Sequence, residues 1–325
     1  MSRAPRLPRP PRVPTSLAAA AAAAGVAMVA ALVPANRATA AQRPASTAAQ
    51  RPASTAAKHE PRNIAARAAE LANAATGKQL WGRRQYTARP IASITKVMTA
   101  LVVVKANRLD KRIRITAADV DYARAHNATT AGLHPGDILT ARQLLYAMLL
   151  PSGADAAMAL ATSFGPGRRA FVRKMNATAR RLHLTKTHFS NFDGLLSTDV
   201  STPSNLLHLG RAAMADPVIS AVVRHRHWLL RAGRRHHRYL WTNTNLLLGH
   251  YRGAIGIKTG WTPAAGECLL FEATRGKRTL IGVVLDSAAT KTGATFSDAA
   301  KMLNWGFGLQ QAVRAFRPPA GGSAE

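Results

Sequence analysis

Apolar side chains divide the 325-residue chain into stretches of different character. Residues 17–34 are uninterrupted apolar sequence, mostly alanine, whereas 41–60 hold no large apolar side chain. Nothing in the latter stretch can offset the entropy of ordering, so a flexible linker is expected there. A folded body is expected over 61–316, with a flexible tail at 317–325 that opens on Arg317-Pro318-Pro319. At its start, 64–72 and 79–81 flank Asn73-Ala74-Ala75-Thr76-Gly77, a pattern of strand, turn and strand. The run from Lys96 onward, free of Gly and Pro, suits a buried helix. Between 116 and 213 the pattern is mainly helical. There, 140–150 and 154–163 are separated by a break at Pro151-Ser152-Gly153, and 171–182 spaces Phe171, Met175 and Leu182 along an amphipathic helix. After Val218 the runs 251–258, 267–274 and 279–285 are rich in Ile, Val and Leu with glycine turns between them, and read as strands. A helix over 297–311 closes the body. Strands at both ends with helices between predict an α+β unit. Its antiparallel sheet is assembled from both ends and flanked by helices, with a helical lobe inserted.

Charge adds a destination. The 45 Lys and Arg against 15 Asp and Glu leave a net charge of +30, which favours anionic partners such as nucleic acid, anionic lipid or acidic wall polymer. Arg3, Arg6, Arg9 and Arg12 precede the 17–34 segment, and Ala38-Thr39-Ala40 follows it with small residues at the spacing an export peptidase reads. Residues 1–40 are thus expected to be a signal peptide, or an uncleaved signal anchor, since the apolar run nears bilayer-spanning length. The protein is expected outside the cytoplasmic membrane, on its cell-wall side. The linker contains Ala41-Gln42-Arg43-Pro44-Ala45-Ser46-Thr47-Ala48 repeated unchanged at 49–56, too few and too polar a set of copies for a solenoid. Cys268 is the only cysteine, so no internal disulfide forms, and beside Glu267 it reads as a strand residue rather than a nucleophile. The clusters Arg224-His225-Arg226-His227 and Arg234-Arg235-His236-His237-Arg238 come with Trp228, Tyr239 and Trp241 but with no nucleic-acid recognition motif. A solvated hairpin attracted to anionic wall polymer or lipid is preferred to nucleic-acid binding. No acidic or cysteine partner lies near these histidines in the sequence, so no metal site is expected.

Three short motifs carry candidate chemistry. Ser93 and Lys96 are one helical turn apart, so their side chains face the same way, and a neutral amine can take the proton of a hydroxyl nucleophile. Ser152 lies at the break between two helices, where it either projects into a cleft or caps the second helix; on this stretch alone the cap is the simpler reading. In Gly256-Ile257-Lys258-Thr259-Gly260-Trp261, a strand places Lys258 and Gly260 on one face and Thr259 on the other. Lys258 and Thr259 suit a substrate carboxylate, and Gly260 allows a backbone or substrate to come close. An edge strand here could also add an extended peptide.

In the order Ser-x-x-Lys, Ser-Gly-x, Lys-Thr-Gly, these motifs are those of penicillin-binding proteins and class A β-lactamases. The chain resembles the low-molecular-mass D-alanyl-D-alanine carboxypeptidases, the S11 serine peptidases, from about Arg62 to about Gly306. Pro90-Ile91-Ala92-Ser93-Ile94-Thr95-Lys96, Thr187-His188-Phe189, Asn243-Thr244-Asn245 and Ala265-Gly266 are among the segments that carry it. The resemblance implies the β-lactamase/DD-peptidase-like fold and no cofactor. It also implies peptidoglycan stem peptides and β-lactams as the molecules bound. By the same resemblance, Ser93 forms an acyl-enzyme, Lys96 is the base, Ser152 relays the proton, and Lys258, Thr259, Gly260 and Trp261 bind substrate, with the backbone N–H groups of Ser93 and Trp261 as oxyanion hole. Ala154 departs from it, for the family usually has asparagine and less often cysteine there. Pro203-Ser204-Asn205 departs too, standing where the family has Ala-Arg-Asp. A class A β-lactamase needs a glutamate after the second motif, and none occurs between Glu70 and Glu267. The remaining alternatives are a DD-transpeptidase and a penicillin- or wall-binding module in which Ala154 marks a lost activity.

Overall fold

The structure is a computed structural model that describes residues 60–308. The expected export segment, most of the linker and the tail lie outside the described residues. In chain order the elements are β1 (Ala68–Asn73), β2 (Gln79–Arg83), β3 (Arg89–Pro90), a 3-10 turn (Ala92–Ile94), α1 (Thr95–Lys105), β4 (Arg112–Arg114), α2 (Ala117–Ala125), β5 (Ile138–Thr140), α3 (Ala141–Leu149), α4 (Ala154–Phe164) and α5 (Gly167–Arg181). Then come β6 (Val200–Ser201), α6 (Pro203–Met214), α7 (Pro217–Val223), β7 (His227–Leu230), β8 (Tyr239–Thr242), β9 (Ala254–Thr262), β10 (Gly266–Arg275), β11 (Arg278–Leu285) and α8 (Ala294–Phe307).

A five-stranded antiparallel sheet runs in the order β2-β1-β11-β10-β9, so the two N-terminal strands pair with the C-terminal three and β9 is an edge. Both faces are covered, which is why 268–271 of β10 and 280–285 of β11 carry no polar side chain rather than alternating. Alternation survives as a choice of core: Ile281, Val283 and Leu285 pack with the helical lobe, while Leu280 and Val284 pack with α8. Inside the lobe, α1 is buried along every residue from Thr95 to Val104, consistent with its uniformly apolar run. Its neighbours start at side-chain caps. Thr116 and Asp119 form a capping box on α2, Thr140 and Gln143 another on α3, and Thr202 caps α6 ahead of Pro203.

Several boundaries differ from expectation. The first strand begins at Ala68 rather than 64, because the Asp298 carboxylate accepts the N–H groups of Ala65 and Ala66 at 2.9 and 2.7 Å and ties that segment to α8. The strand expected over 251–258 starts at Ala254 and reaches Thr262, since Tyr251 is held in a turn by Leu247 O and by Asn304 Oδ1. The amphipathic helix starts earlier than 171, at Gly167. The closing helix spans Ala294–Phe307 between left-handed Gly293 and Gly308, and Gln311 lies outside the described residues. The basic hairpin β7–β8 is not solvated all round. Trp228 stacks between Tyr146 and Trp241 with ring centroids 4.2 and 5.5 Å apart, so alternate residues of the hairpin join the core.

Glu70 and Glu272 lie in the sheet on the face turned to the helical lobe, and burial pushes each up to about 7. A carboxyl whose folded value exceeds its unfolded value of about 4.3 is protonated in the native state where the unfolded chain has lost the proton. The native state then binds more protons, and stability falls as pH rises through about 7. Thermal melting should be several degrees lower at about pH 8 than at about pH 5.5, with a smaller drop in Glu70→Gln/Glu272→Gln. Equal slopes in both proteins would remove these two residues as the cause.

Candidate active site

Ser93 occupies the 3-10 turn ahead of α1 rather than the helix proper, one residue after Ala92, whose φ is +47°. Ser93 Oγ and Lys96 Nζ are 2.9 Å apart. Lys96 is 1% exposed and also donates to Asp193 O at 2.9 Å. That carbonyl belongs to a loop fastened from inside. Asn191 Oδ1 accepts from the N–H groups of Asp193 and Gly194, Asp199 Oδ1 accepts from Ser190 and Asn191, and Thr99 Oγ1 donates to Phe192 O. At Gly194, φ is +88° and a Cβ would lie 1.8 Å from Ala92 O, so only glycine lets the loop meet the turn that holds Ser93.

Strand β9 closes the opposite side. A Cβ on Gly260 would stand 3.0 Å from both Ile91 O and Ser93 N, so the close approach that this glycine permits is made by the backbone of the turn that holds Ser93. Lys258 is 1% exposed, with Nζ donating to Thr259 O at 3.1 Å and to Thr259 Oγ1 at 3.3 Å. Thr259 Oγ1 is 2.5 Å from Thr244 Oγ1, and Thr244 N donates to Leu150 O at 3.0 Å, which connects the strand to the end of α3. Trp261 is 41% exposed at the sheet edge, while Cys268, paired with Gly260, is buried with its thiol pushed up to about 12.

Ser152 is 6% exposed with φ +69° and does not cap α4, whose N-cap is Gly153. The side chain that organises this corner is the fully buried Asp155. It accepts from Thr130 Oγ1 at 2.6 Å, Ala131 N at 2.9 Å, Leu133 N at 3.2 Å and Ala156 N at 2.8 Å. Ala154 N donates to Thr129 O at 2.8 Å, so the loop at 129–133 is fixed against the Ser152 motif.

The two amines are electrically linked. Burial holds Lys96 below the ordinary lysine value, and Asp193, Asp155 and Asp199 pull part of that back. Burial lowers Lys258 well below the ordinary lysine value, with Lys96 as the repelling neighbour. One buried site therefore holds a proton count below two at a pH well under that of free lysine. Sequence reasoning did not single out Asp155, Asp199 or the Asp193 carbonyl. Their signal was scarcity: in a chain with 15 acidic residues, each is a candidate for a buried role.

Known proteins place this arrangement. The D-alanyl-D-alanine carboxypeptidase family pattern matches residues 54–289. A D-alanyl-D-alanine carboxypeptidase of Streptomyces sp. (strain K15) is 42% identical over 259 residues, covering 76% of this chain and 88% of that protein. D-alanyl-D-alanine carboxypeptidase DacB2 of Mycobacterium tuberculosis is 38% identical over 243 residues, covering 74% and 81%. Among solved structures, the Streptomyces K15 DD-transpeptidase superposes with a TM-score of 0.72 at 42% identity, covering 76% of this chain and 98% of that one. A D-alanyl-D-alanine carboxypeptidase from M. tuberculosis gives 0.68 at 34% identity, covering 76% and 92%. The chain belongs to the D-alanyl-D-alanine carboxypeptidase family of S11 serine peptidases.

Proposed function

We propose that the protein removes the terminal D-alanine from peptidoglycan stem peptides through an acyl-enzyme on Ser93. The observation that carries the reading is the 2.9 Å approach of Ser93 Oγ to the buried Lys96 amine, which burial holds below the ordinary lysine value. Lys258 and Thr259 receive the terminal carboxylate. That negative charge keeps the shared proton on Lys258 and leaves Lys96 neutral, so substrate binding itself prepares the base. Lys96 takes the Ser93 proton as Oγ attacks the carbonyl between the two D-alanines. The backbone N–H groups of Ser93 and Trp261 hold the oxyanion, a few kcal/mol per donor. Ser152 gives its proton to the leaving amine and takes up the one that Lys96 received from Ser93, the C–N bond breaks, and D-alanine departs. Water then cleaves the ester and restores Ser93. A β-lactam acylates Ser93 by the same attack.

Release of D-alanine from a peptide ending in D-Ala-D-Ala tests this, and no release by folded protein would sink it. Crosslinking is the second reading, favoured by the DD-transpeptidase at 42% identity. An added acceptor amine that diverts the acyl group from water would support it. Ala154 bears on the rate. Ala154→Asn supplies the amide that the family usually has, and one added hydrogen bond of about 1.4 kcal/mol should raise D-alanine release roughly tenfold. Unchanged release would show that this site works without the amide.

Placement outside the membrane is part of the proposal, supported by Arg3 to Arg12, the apolar 17–34 segment and Ala38-Thr39-Ala40. Contact with anionic wall polymer or lipid is supported by the +30 charge and by a surface hollow of 420 Å³ lined by Arg112, Arg234, Arg235 and His236.

A further inference from the structure

The basic hairpin, read in sequence as lacking any acidic partner, meets one from far along the chain. Asp137, 100 residues before His237, is 6% exposed in its side chain and reaches into the space between the loop ahead of β5 and the turn ahead of β8. His237 Nδ1 lies 2.9 Å from Asp137 Oδ1, and the His134 ring stacks on the His237 ring with centroids 4.2 Å apart. One donor atom from each of His134, Asp137 and His237 lies within 4.8 Å of the other two.

We infer that His134, Asp137 and His237 form a binding site for a divalent transition-metal ion, with zinc the best match. Two imidazoles and one carboxylate are the ligand types zinc takes, and two or three such protein ligands leave positions for water. Tetrahedral bonds of about 2.0–2.1 Å place ligand atoms about 3.3 Å apart, near the 2.9 Å between His237 Nδ1 and Asp137 Oδ1, and the three ligand atoms all lie within 4.8 Å of one another. Both histidines are exposed at the rim, so their rings can turn toward an ion without disturbing the core. The carboxylate is already oriented. Tyr239 OH and His237 N both donate to Asp137 Oδ2, and Tyr239 OH also lies 3.0 Å from His134 Nδ1. Such outer hydrogen bonds are what hold a metal-binding carboxylate in place.

The ion would act as a clip near the cleft. His134 belongs to the segment whose Ala131 and Leu133 N–H groups are held by Asp155, next to Ser152. His237 belongs to the hairpin whose Trp241 Nε1 donates to Ala131 O at 2.8 Å. The metal would add a bond across a junction that now rests on hydrogen bonds and stacked rings, and it takes no part in the proposed reaction.

The test uses the full chain, stripped with a chelator and titrated with zinc chloride while thermal unfolding is followed. Wild type should gain roughly 5 °C at about a hundredfold excess over the dissociation constant. His134→Gln/His237→Gln should gain nothing, and His208→Gln, altered at an exposed histidine of α6 outside the cluster, should behave as wild type. Cobalt(II) provides a readout independent of stability, with visible absorption of a low-coordinate ion in wild type and none in the double variant. No gain in wild type, equal gains in wild type and the double variant, or loss of the gain in His208→Gln would each overturn the site.

Discussion

Ser93→Ala loses D-alanine release by on the order of 10⁴-fold or more, because the nucleophile is gone and water must attack without forming the ester. Folding should be nearly unaffected. The change deletes one hydroxyl at a 3-10 turn, and Lys96 keeps its bond to Asp193 O. Melting close to wild type together with absent release separates chemistry from collapse. Release within tenfold of wild type would move the nucleophile elsewhere.

Lys96→Met is the second large effect. The thioether fills the space of the aliphatic stem but cannot accept a proton, and loss of a positioned base costs roughly 10²–10⁴-fold. Stability should hold or rise, because a buried amine costs desolvation that methionine does not. The pH profile distinguishes a base from a packing residue. Burial places the loss of the first shared proton well below the ordinary lysine value of about 10.4, so acylation by a β-lactam in wild type climbs with pH as that proton leaves. It declines again at higher pH, when Lys258 loses the charge that receives the substrate carboxylate. Lys96→Met should retain the descending limb and lose the ascending one. An ascending limb that persists in Lys96→Met would assign it to another group.

How far this site could be read without coordinates depended on distance along the chain. Ser93 and Lys96 are one turn apart, so helical geometry alone juxtaposes them. Strands β10 and β11 were legible because both faces are buried and their apolar runs are nearly unbroken. The capping role first favoured for Ser152 failed because a left-handed backbone at a helix break leaves no trace in residue type, and Gly153 took the N-cap instead. Asp155 stood beside Ser152 in the sequence, yet its partners are the N–H groups of a loop more than twenty residues earlier. Asp298 fixing Ala65 and Ala66, and Asp137 meeting His237, are contacts of the same long-range kind, invisible to periodicity. Gly260 is legible as a point of close approach, and the structure supplies what approaches: Ile91 O and Ser93 N.

The measurement that bears most directly on this account is intact-protein mass spectrometry after penicillin treatment, followed by peptide mapping of wild type and Ser93→Ala. The account predicts one penicilloyl group in wild type, on the peptide that contains Ser93, and none in the variant. A penicilloyl group that persists in Ser93→Ala, or that maps in wild type to a peptide without Ser93, would contradict it.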